Sequence, residues 1–180
     1  EVEGWTINVV AGDDDSGHPN SAMAGAIFSY GTTTGMLQGG GKTPPSLGPT
    51  DNEGNCLGLV AVWGCGGYYY QEVTLPAGEY TINIPVYNQH GTNGTTTYFG
   101  FIPNSGTSQT IATPTTTGSW VTLTKSFTLT NETSGRICLG YKSNGSSSGA
   151  NPHLFIDNVQ ILYKATVVKN VLQNAITAAT

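Results

Sequence analysis

Short stretches in which apolar and polar residues alternate recur along most of the chain, separated by clusters of Gly, Pro, Asn and Ser. Alternation with a period of two places every second side chain on one face of a β-strand, and such clusters are typical of turns. We therefore expect an all-β domain. Its predicted strands are Trp5–Val10, Gly25–Tyr30, Cys56–Trp63, Tyr68–Leu75, Glu79–Tyr87, Thr97–Ile102, Trp120–Leu129, Arg136–Tyr141 and Leu154–Tyr163.

The turn Pro76-Ala77-Gly78 separates two of the clearest predicted strands. Proline presets the backbone angle that a tight turn needs, and glycine accepts conformations that other residues avoid. We predict that this turn closes a hairpin between Tyr68–Leu75 and Glu79–Tyr87. Two longer stretches, Gly31–Asn55 and Ser143–Pro152, are rich in turn-forming residues and are predicted loops, and loops of this length often carry function.

The end of the chain has a different pattern. Lys164–Thr180 contains no Gly or Pro, and its apolar residues recur at helical spacing. These residues are Val168, Val171, Leu172, Ala175, Ile176 and Ala179. We predict a β-sandwich domain over residues 1–163, followed over residues 164–180 by a short C-terminal helix that is a linker or the start of a further domain. Covalently linked neighbouring domains are therefore expected.

Alternation also sorts the side chains of the central strands into an apolar face and an opposite face. The opposite face is predicted to carry Tyr68, Tyr70, Glu72, Asn83, Tyr87, Tyr98 and Arg136. Aromatic rings stack on the C–H faces of sugars, while carboxylate, amide and guanidinium groups bind hydroxyls. Tyrosine is also simply a common strand residue. For Tyr70 and Tyr87, stacking on a sugar and ordinary packing both remain open.

The three tryptophans differ in context. Trp63 ends an apolar run before Gly64-Cys65-Gly66-Gly67, so its ring either stands exposed at a rim, where a sugar could stack, or caps the core. Trp5 and Trp120 begin predicted strands and are assigned to the core.

The composition narrows the range of partners. Charged residues make up 9% of the chain, and 6 Lys and Arg against 11 Asp and Glu give a net charge of −5. A nucleic-acid partner needs a cationic surface, so none is expected. No apolar run reaches the ~20 residues of a membrane span, and no membrane insertion is expected. Neutral polymers need no net charge, and the Thr-, Ser- and Gly-rich surface suits a secreted or cell-surface protein.

Sequence motifs for catalysis are incomplete. Gly145-Ser146-Ser147-Ser148-Gly149 has the letters of a hydrolase nucleophile elbow but lies in a Ser/Gly loop with no following helix. The carboxylates are few and most belong to predicted turns, whereas glycoside hydrolysis needs two of them across a cleft. The chain is therefore predicted not to be an enzyme.

The spacing of the cysteines and histidines is not typical of a metal site or of a disulfide framework. Cys56 and Cys65 bracket one extended run that would hold them apart, and a bridge from Cys65 to Cys138 has no further support, so buried thiols are the simpler interpretation. The histidines, at positions His18, His90 and His153, are predicted to be solvated loop residues. The acidic run Asp13–Asp15 fits either a calcium ligand loop or a solvated turn.

Three segments resemble the galactose-binding-like jelly rolls. Tyr70–Thr81 resembles their "Q-x-V-x-L-x-A-G-x-Y-T" hairpin, Trp120–Phe127 matches their "W-x-x-x-x-x-x-F" strand, and Phe155–Ile161 resembles their closing strand, "hydrophobic-x-D-N-V". The segments follow the expected order between about Cys56 and Tyr163. Within that group the chain is similar to carbohydrate-binding modules of the family 4, 9 and 22 type, which occur in proteins of polysaccharide-degrading bacteria.

The resemblance implies a two-sheet antiparallel jelly-roll β-sandwich with a glycan site in the concave sheet or its rim loops. It also implies a structural Ca²⁺ ion held by Asp157, with Asp13–Asp15 as the acidic residues that would provide its other ligands. The expected function is non-catalytic binding of a neutral plant polysaccharide such as xylan or β-glucan. The alternative is a structural or adhesive spacer without glycan affinity. The candidate ligand-binding residues are Trp63, Tyr68, Tyr70, Glu72, Asn83, Tyr87, Asn88, Gln89, Tyr98 and Arg136.

Overall fold

A computed structural model describes residues 4–10, 24–30, 44–50, 54–61, 64, 66–90, 96–143 and 153–164, and these residues contain β-strands, turns and loops but no helix. All pairings between the strands are antiparallel. The strands are β1 (Thr6–Val10), β2 (Ala24–Ser29), β3 (Asn55–Val60), β4 (Gly66–Leu75), β5 (Gly78–His90), β6 (Phe99–Pro103), β7 (Gln109–Ile111), β8 (Trp120–Leu129), β9 (Thr133–Lys142), β10 (His153–Ile156) and β11 (Gln160–Lys164).

The strands form two sheets. The five-stranded sheet has the order β1-β4-β9-β6-β7, and the six-stranded sheet has the order β11-β5-β10-β3-β2 with β8 also paired to β5. The long strand β5 is central to the six-stranded sheet. One of its edges pairs with β8 from Gly78 to Tyr87, and the other pairs first with β11 and then with β10.

One hydrophobic core lies between the two sheets, so the domain is an antiparallel sandwich. The five-stranded sheet contributes Tyr69, Phe99, Phe101, Ile137, Leu139 and Tyr141, and the six-stranded sheet contributes Leu57, Leu59, Tyr80, Ile82, Ile84, Val86, Leu123, Phe127, Leu154 and Ile156. These side chains alternate with residues on the opposite face of each strand. The predicted apolar faces of the central strands are confirmed, and Trp5 packs against the same core.

Two phenols cross the core and join the sheets. The hydroxyl of Tyr141, on β9, accepts a hydrogen bond of 2.8 Å from the backbone N–H of Ala61, just after β3. The hydroxyl of Tyr69, on β4, donates to the carbonyl of Gly25 on β2 at 3.2 Å. Because unpaired polar groups in a core are costly, these bonds fix which part of one sheet faces which part of the other.

The predicted hairpin at Pro76-Ala77-Gly78 is wrong. Strand β4 pairs with β1 and β9, whereas β5 pairs with β8, β10 and β11, so the turn carries the chain from one sheet to the other. The Tyr80 hydroxyl donates to the Pro76 carbonyl at 2.7 Å, and the Tyr163 hydroxyl donates to the Ala77 carbonyl at 3.2 Å. A side chain on Gly78 would overlap the Tyr163 ring. We call this connection the arch.

The predicted strand Leu154–Tyr163 is two strands, β10 and β11. The break falls at Asp157 and Asn158, where Asn158 has a positive φ of 49°. Asparagine is one of the few residues other than glycine that adopt this conformation readily. The very short strand β7 was not predicted because its three residues are too few to show a period.

His153 is not a solvated loop residue, as its sequence context suggested. It begins β10 and is 1% exposed, in register with His90 at the end of β5. The prediction failed because the flanking Asn and Pro suggested a turn, whereas the strand starts at His153 itself. The C-terminal helix was predicted over residues 164–180; Lys164 ends β11, and residues 165–180 lie outside the described part of the chain. Trp63, Cys65, His18 and Asp13–Asp15 lie outside it as well. Within that part there is also no helix with the length and hydropathy to cross a membrane.

We predict that Tyr141→Phe lowers the free energy of unfolding by about 1–3 kcal/mol, because the Ala61 N–H would lose its partner in a dry core. Urea unfolding measures this change. Tyr163→Phe is the control: its hydrogen bond is longer and solvent-exposed, so it should cost clearly less. Equal losses in the two variants would show that the Tyr141 bond does not couple the sheets.

Candidate functional site

The outer face of the five-stranded sheet carries a group of aromatic and charged side chains. Strands β4 and β9 run in register, with Tyr68 opposite Gly140, Tyr70 opposite Cys138, and Glu72 opposite Arg136. Directly opposed residues share a face of the sheet. Tyr98 joins them from the residue just before β6, since its backbone N–H donates to the Gly140 carbonyl at 2.9 Å. We call Tyr68, Tyr70, Glu72, Tyr98 and Arg136 the tyrosine face.

Gly140 allows two tyrosines from different strands to meet. The ring centroids of Tyr68 and Tyr98 are 4.8 Å apart, on either side of the strand that contains Gly140. A Cβ atom on Gly140 would overlap the backbone of Gly67 and Tyr68. Aromatic rings on neighbouring strands commonly cover a glycine in this way. The absence of a side chain at Gly140 thus brings these rings together.

The three tyrosine rings are tilted against one another. The planes of Tyr68 and Tyr98 meet at 45°, and those of Tyr68 and Tyr70 at 59° with centroids 6.0 Å apart. The Asn8 side-chain amide donates to the Tyr68 hydroxyl at 2.6 Å and holds that ring from β1. Burial raises the pKa of Tyr98; nearby Lys142 opposes this shift and Tyr68 adds to it. The phenol therefore stays neutral near pH 7 and remains a hydrogen-bond donor.

Arg136 connects the aromatic and acidic parts of the tyrosine face. Its guanidinium carbon lies 4.6 Å from the centroid of the Tyr70 ring, within the range of a cation–π contact. Its Nη2 lies 3.5 Å from a carboxylate oxygen of Glu72. The side chains of Arg136 and Glu72 are 37% and 73% exposed, so the pair contributes little to stability. Both groups keep hydrogen-bonding capacity for a ligand.

Two open depressions lie on either side of Glu72. One has a volume of about 490 Å³ and is lined by Gly4, Thr6, Tyr70, Gln71 and Glu72. The other has a volume of about 390 Å³ and is lined by Glu72, Val73, Thr74, Asn104, Ser134, Gly135 and Arg136. Both volumes lie in the range of small-ligand sites. Thr6 of β1 and Ser134 and Gly135 of β9 were not predicted, because only the strand pairing shows that they border Tyr70 and Glu72.

Asn83 and Tyr87 do not lie on the tyrosine face. Both belong to β5 and point outward from the six-stranded sheet, on the other side of the sandwich. The prediction placed them with Tyr70 because it treated the arch as a hairpin within one sheet. Asn83 accepts a hydrogen bond of 3.0 Å from the Thr124 hydroxyl.

Tyr87 is part of a second hydrophobic cluster. It packs with Trp120, at 5.7 Å between ring centroids, on the buried residues Cys56, Val60 and Phe155. The indole N–H of Trp120 donates to the Leu47 carbonyl at 2.8 Å, so part of the segment 44–50 lies against the cluster. Trp120 was predicted in the main core; it lies instead on the outer side of the six-stranded sheet.

Asn88 and Gln89 are at the end of β5, also in the six-stranded sheet. Asn88 is 0% exposed, and its side-chain amide donates to the Pro114 carbonyl at 3.0 Å, while its backbone carbonyl accepts a hydrogen bond from the Gly118 N–H. These bonds hold the loop before β8 in place and leave Asn88 no open surface for a sugar. Gln89 is half-buried. Trp63, the remaining candidate, lies outside the described residues.

Asp157, the candidate calcium ligand, has two partners within the protein. The Tyr30 hydroxyl donates to one carboxylate oxygen, and the Asn158 backbone N–H donates to the other at 2.7 Å. In the described ranges, no three His, Cys, Asp or Glu side chains gather where they could hold a metal ion. The proposed partners Asp13–Asp15 lie outside those ranges, so the calcium site stays a prediction.

Comparisons with known proteins give little guidance. No known protein family matches the chain, and no curated protein matches it. Among solved structures, the enzymatically active domain of tailspike protein 4 from bacteriophage CBA120 is similar over 91% of this chain, with 11% sequence identity and a TM-score of 0.48. The matched part is 20% of that tailspike chain. A similarity of this size carries no argument, and the function proposed below rests on the tyrosine face alone.

The pKa values of two buried thiols predict how the stability of the domain depends on pH. Burial raises the pKa of Cys138, which lies beneath the tyrosine face, and the pKa of Cys56, each from 9.0 to about 12. Nearby Arg136 partly offsets the rise in the pKa of Cys138, whereas Asp157 adds to the rise in the pKa of Cys56. The folded protein keeps these protons while the unfolded chain loses them above pH 9. The free energy of unfolding should therefore fall as pH rises from 9 towards 12, by up to about 1.4 kcal/mol per pH unit for each thiol.

Urea unfolding between about pH 9 and pH 10, below the usual tyrosine pKa, measures this slope. Cys138→Ala should flatten it whatever the variant does to overall stability. A variant whose slope equals that of the unaltered protein would show that Cys138 is not the titrating group.

Proposed function

We propose that the chain is a non-catalytic carbohydrate-binding domain whose ligand lies across the tyrosine face. This assigns it to the jelly-roll modules that the sequence resembles. Tyr70 would stack on a sugar ring, while Glu72 and Arg136 would bind hydroxyls beside it. Tyr68 and Tyr98 would extend the aromatic surface towards β6.

The observation that carries the proposal is the arrangement around Tyr70. Arg136 covers one side of the ring, and the ring itself lines the depression of about 490 Å³ that Thr6 and Gly4 border. A sugar placed there would contact an aromatic ring and reach the Glu72 carboxylate. Binding sites of this kind combine an apolar wall with a few placed polar groups. The two depressions are open rather than enclosed, which suits a polymer that enters at one end and leaves at the other.

The charges of the tyrosine face favour a neutral glycan. Glu72 and Arg136 form a pair of opposite sign, so a uronic-acid polymer would meet a carboxylate at the centre of the site. Xylan and β-glucan carry no such charge in their backbones. We therefore propose a neutral plant polysaccharide as the ligand.

The same residues support binding over catalysis. Glycoside hydrolysis in most enzyme families needs two carboxyl groups at roughly 5–10 Å. Among the described residues that line the two depressions, Glu72 is the only carboxylate. In this proposal the domain is secreted or on the cell surface, where it would raise the local concentration of polysaccharide near a linked enzyme or surface protein.

We predict that Tyr70→Ala weakens binding to soluble xylan or mixed-linkage β-glucan by about fivefold, through loss of on the order of 1 kcal/mol of stacking. Affinity electrophoresis measures the retardation of the protein by each polysaccharide. Tyr87→Ala is the matched control, because Tyr87 lies on the opposite side of the sandwich and should leave retardation unchanged.

Two outcomes would contradict this prediction. Retardation that disappears with Tyr87→Ala but survives Tyr70→Ala would move the site to the six-stranded sheet. No retardation by any neutral or acidic polysaccharide would leave the structural or adhesive spacer as the function.

We also predict that the chain releases no reducing sugar from a polysaccharide that it binds. A reducing-end assay over a long incubation tests this, with Glu72→Gln as the comparison. Hydrolysis by the unaltered chain that Glu72→Gln abolishes would make it a glycosidase, with Glu72 as a catalytic residue.

A further inference from the structure

The depression of about 390 Å³ differs chemically from the one that Tyr70 lines. No aromatic ring occurs among the described residues that border it. A sugar held there would therefore be bound by hydrogen bonds and not by stacking. Hydrogen bonds depend on direction, and in ligand sites a few placed polar groups supply specificity. The two depressions are thus suited to different tasks for the same ligand.

Thr74 and Ser134 continue the tyrosine face into this depression. They are directly opposed on β4 and β9, next to the opposed pair Glu72 and Arg136 on the same face. Both residues are exposed, and their hydroxyl oxygens are 2.9 Å apart. One hydroxyl donates to the other, and since each has a single proton, the accepting hydroxyl keeps its own proton for a further bond. The pair can therefore donate to a ligand as well as accept from it.

Asn104 brings an amide to the same depression from the end of β6. Its backbone N–H donates to the Ser134 carbonyl at 3.0 Å, which fixes this residue beside β9. Gly135 permits the close approach, because a Cβ atom there would lie 2.5 Å from the Ile102 carbonyl oxygen. The Asn104 side chain is exposed at the depression. Together, the amide and the two hydroxyls provide donors and acceptors that match sugar hydroxyls.

The two depressions are far enough apart to hold different sugar units. Tyr70 and Thr74 are separated by about 14 Å along β4. A single sugar ring is shorter than this, so one unit does not contact both residues. Glu72 lies between them and borders both depressions. A glycan that contacts all three residues therefore passes over Glu72, from the β1 side of β4 to its β9 side.

We infer that the depression without an aromatic ring is a second sugar subsite, which binds the next unit of a glycan whose first unit stacks on Tyr70. Thr74, Asn104 and Ser134 bind the hydroxyls of that second unit. The inference rests on the proposed function and narrows its substrate class to chains of at least two units, with unsubstituted hydroxyls on the second. A substituent on those hydroxyls would leave the polar groups of the subsite unpaired, which lowers affinity.

Titration calorimetry and NMR with xylo- and cello-oligosaccharides, from the monosaccharide to the hexasaccharide, test the inference. The unaltered chain should bind the hexasaccharide more tightly than the monosaccharide. Asn104→Ala should weaken hexasaccharide binding by about fivefold, which corresponds to one hydrogen bond of roughly 1 kcal/mol, and leave monosaccharide binding unchanged. Tyr70→Ala should weaken both. Asn83→Ala is the matched control, because it removes an amide from the other sheet and should change neither.

Ser134→Ala is the second variant of the subsite and should also act on the longer chains alone. Hexasaccharide binding that neither Asn104→Ala nor Ser134→Ala weakens would overturn the inference and leave the proposed function in place. Equal weakening of monosaccharide and hexasaccharide binding by both variants would also overturn it, because the residues would then act on the first unit. If the unaltered chain binds no oligosaccharide or polysaccharide, the proposed function fails and the inference fails with it.

Discussion

The arch at Pro76 and Ala77 determines how the two sheets relate to each other. Strand β4 ends at Leu75 and β5 begins at Gly78, so two residues carry the chain from one sheet to the other. The carbonyls of both residues accept hydrogen bonds from the phenols of Tyr80 and Tyr163. Because Gly78 has no side chain, the Tyr163 ring can pack directly against it. Every outward residue of β4 consequently faces away from every outward residue of β5.

This separation gives the domain two chemically different outer surfaces. The tyrosine face is open, carries an exposed ion pair and has depressions on either side of Glu72. The outer side of the six-stranded sheet holds Tyr87 and Trp120 against buried residues, with Leu47 bonded to the indole. Aromatic residues thus pack against the domain's own chain on the six-stranded sheet, whereas those on the five-stranded sheet are available to a ligand. Residue type alone does not separate the two roles.

Much of the fold could be predicted from alternation, because burial acts on each strand separately. The apolar faces of Tyr80–Val86 and Ile137–Tyr141 follow from every second residue being large and apolar. The pairing of strands could not be predicted in this way. A turn with Pro and Gly suits a hairpin and an arch equally, and the partner that bonds Ala77 in the arch, Tyr163, lies far along the chain. At the break between β10 and β11, Asp157 likewise bonds the distant Tyr30, a contact that alternation does not reveal.

The candidate site was predicted only in part, because alternation gives the face of each side chain but not the pairing of the strands. Tyr68, Tyr70, Glu72 and Arg136 were grouped correctly because they lie on directly paired strands. Asn83 and Tyr87 were misplaced across the arch, and Asn88 was taken for a surface amide although it bonds a loop inside the protein. Asn8 and Gly140 shape the tyrosine face, but their part is visible only once β1 and β9 are known to flank β4.

The covered position of Trp120 has an optical consequence. Trp5 packs against the core and Trp120 lies on the six-stranded sheet, so neither of these indoles belongs to the tyrosine face. A molecule that settles on Tyr70 would leave their emission nearly unchanged. The reporters of such an event are the phenol rings themselves, through their ultraviolet absorbance and their aromatic proton resonances. For the two indoles that the structure describes, unchanged emission would therefore be expected of an occupied domain, and would not be a sign of an empty one.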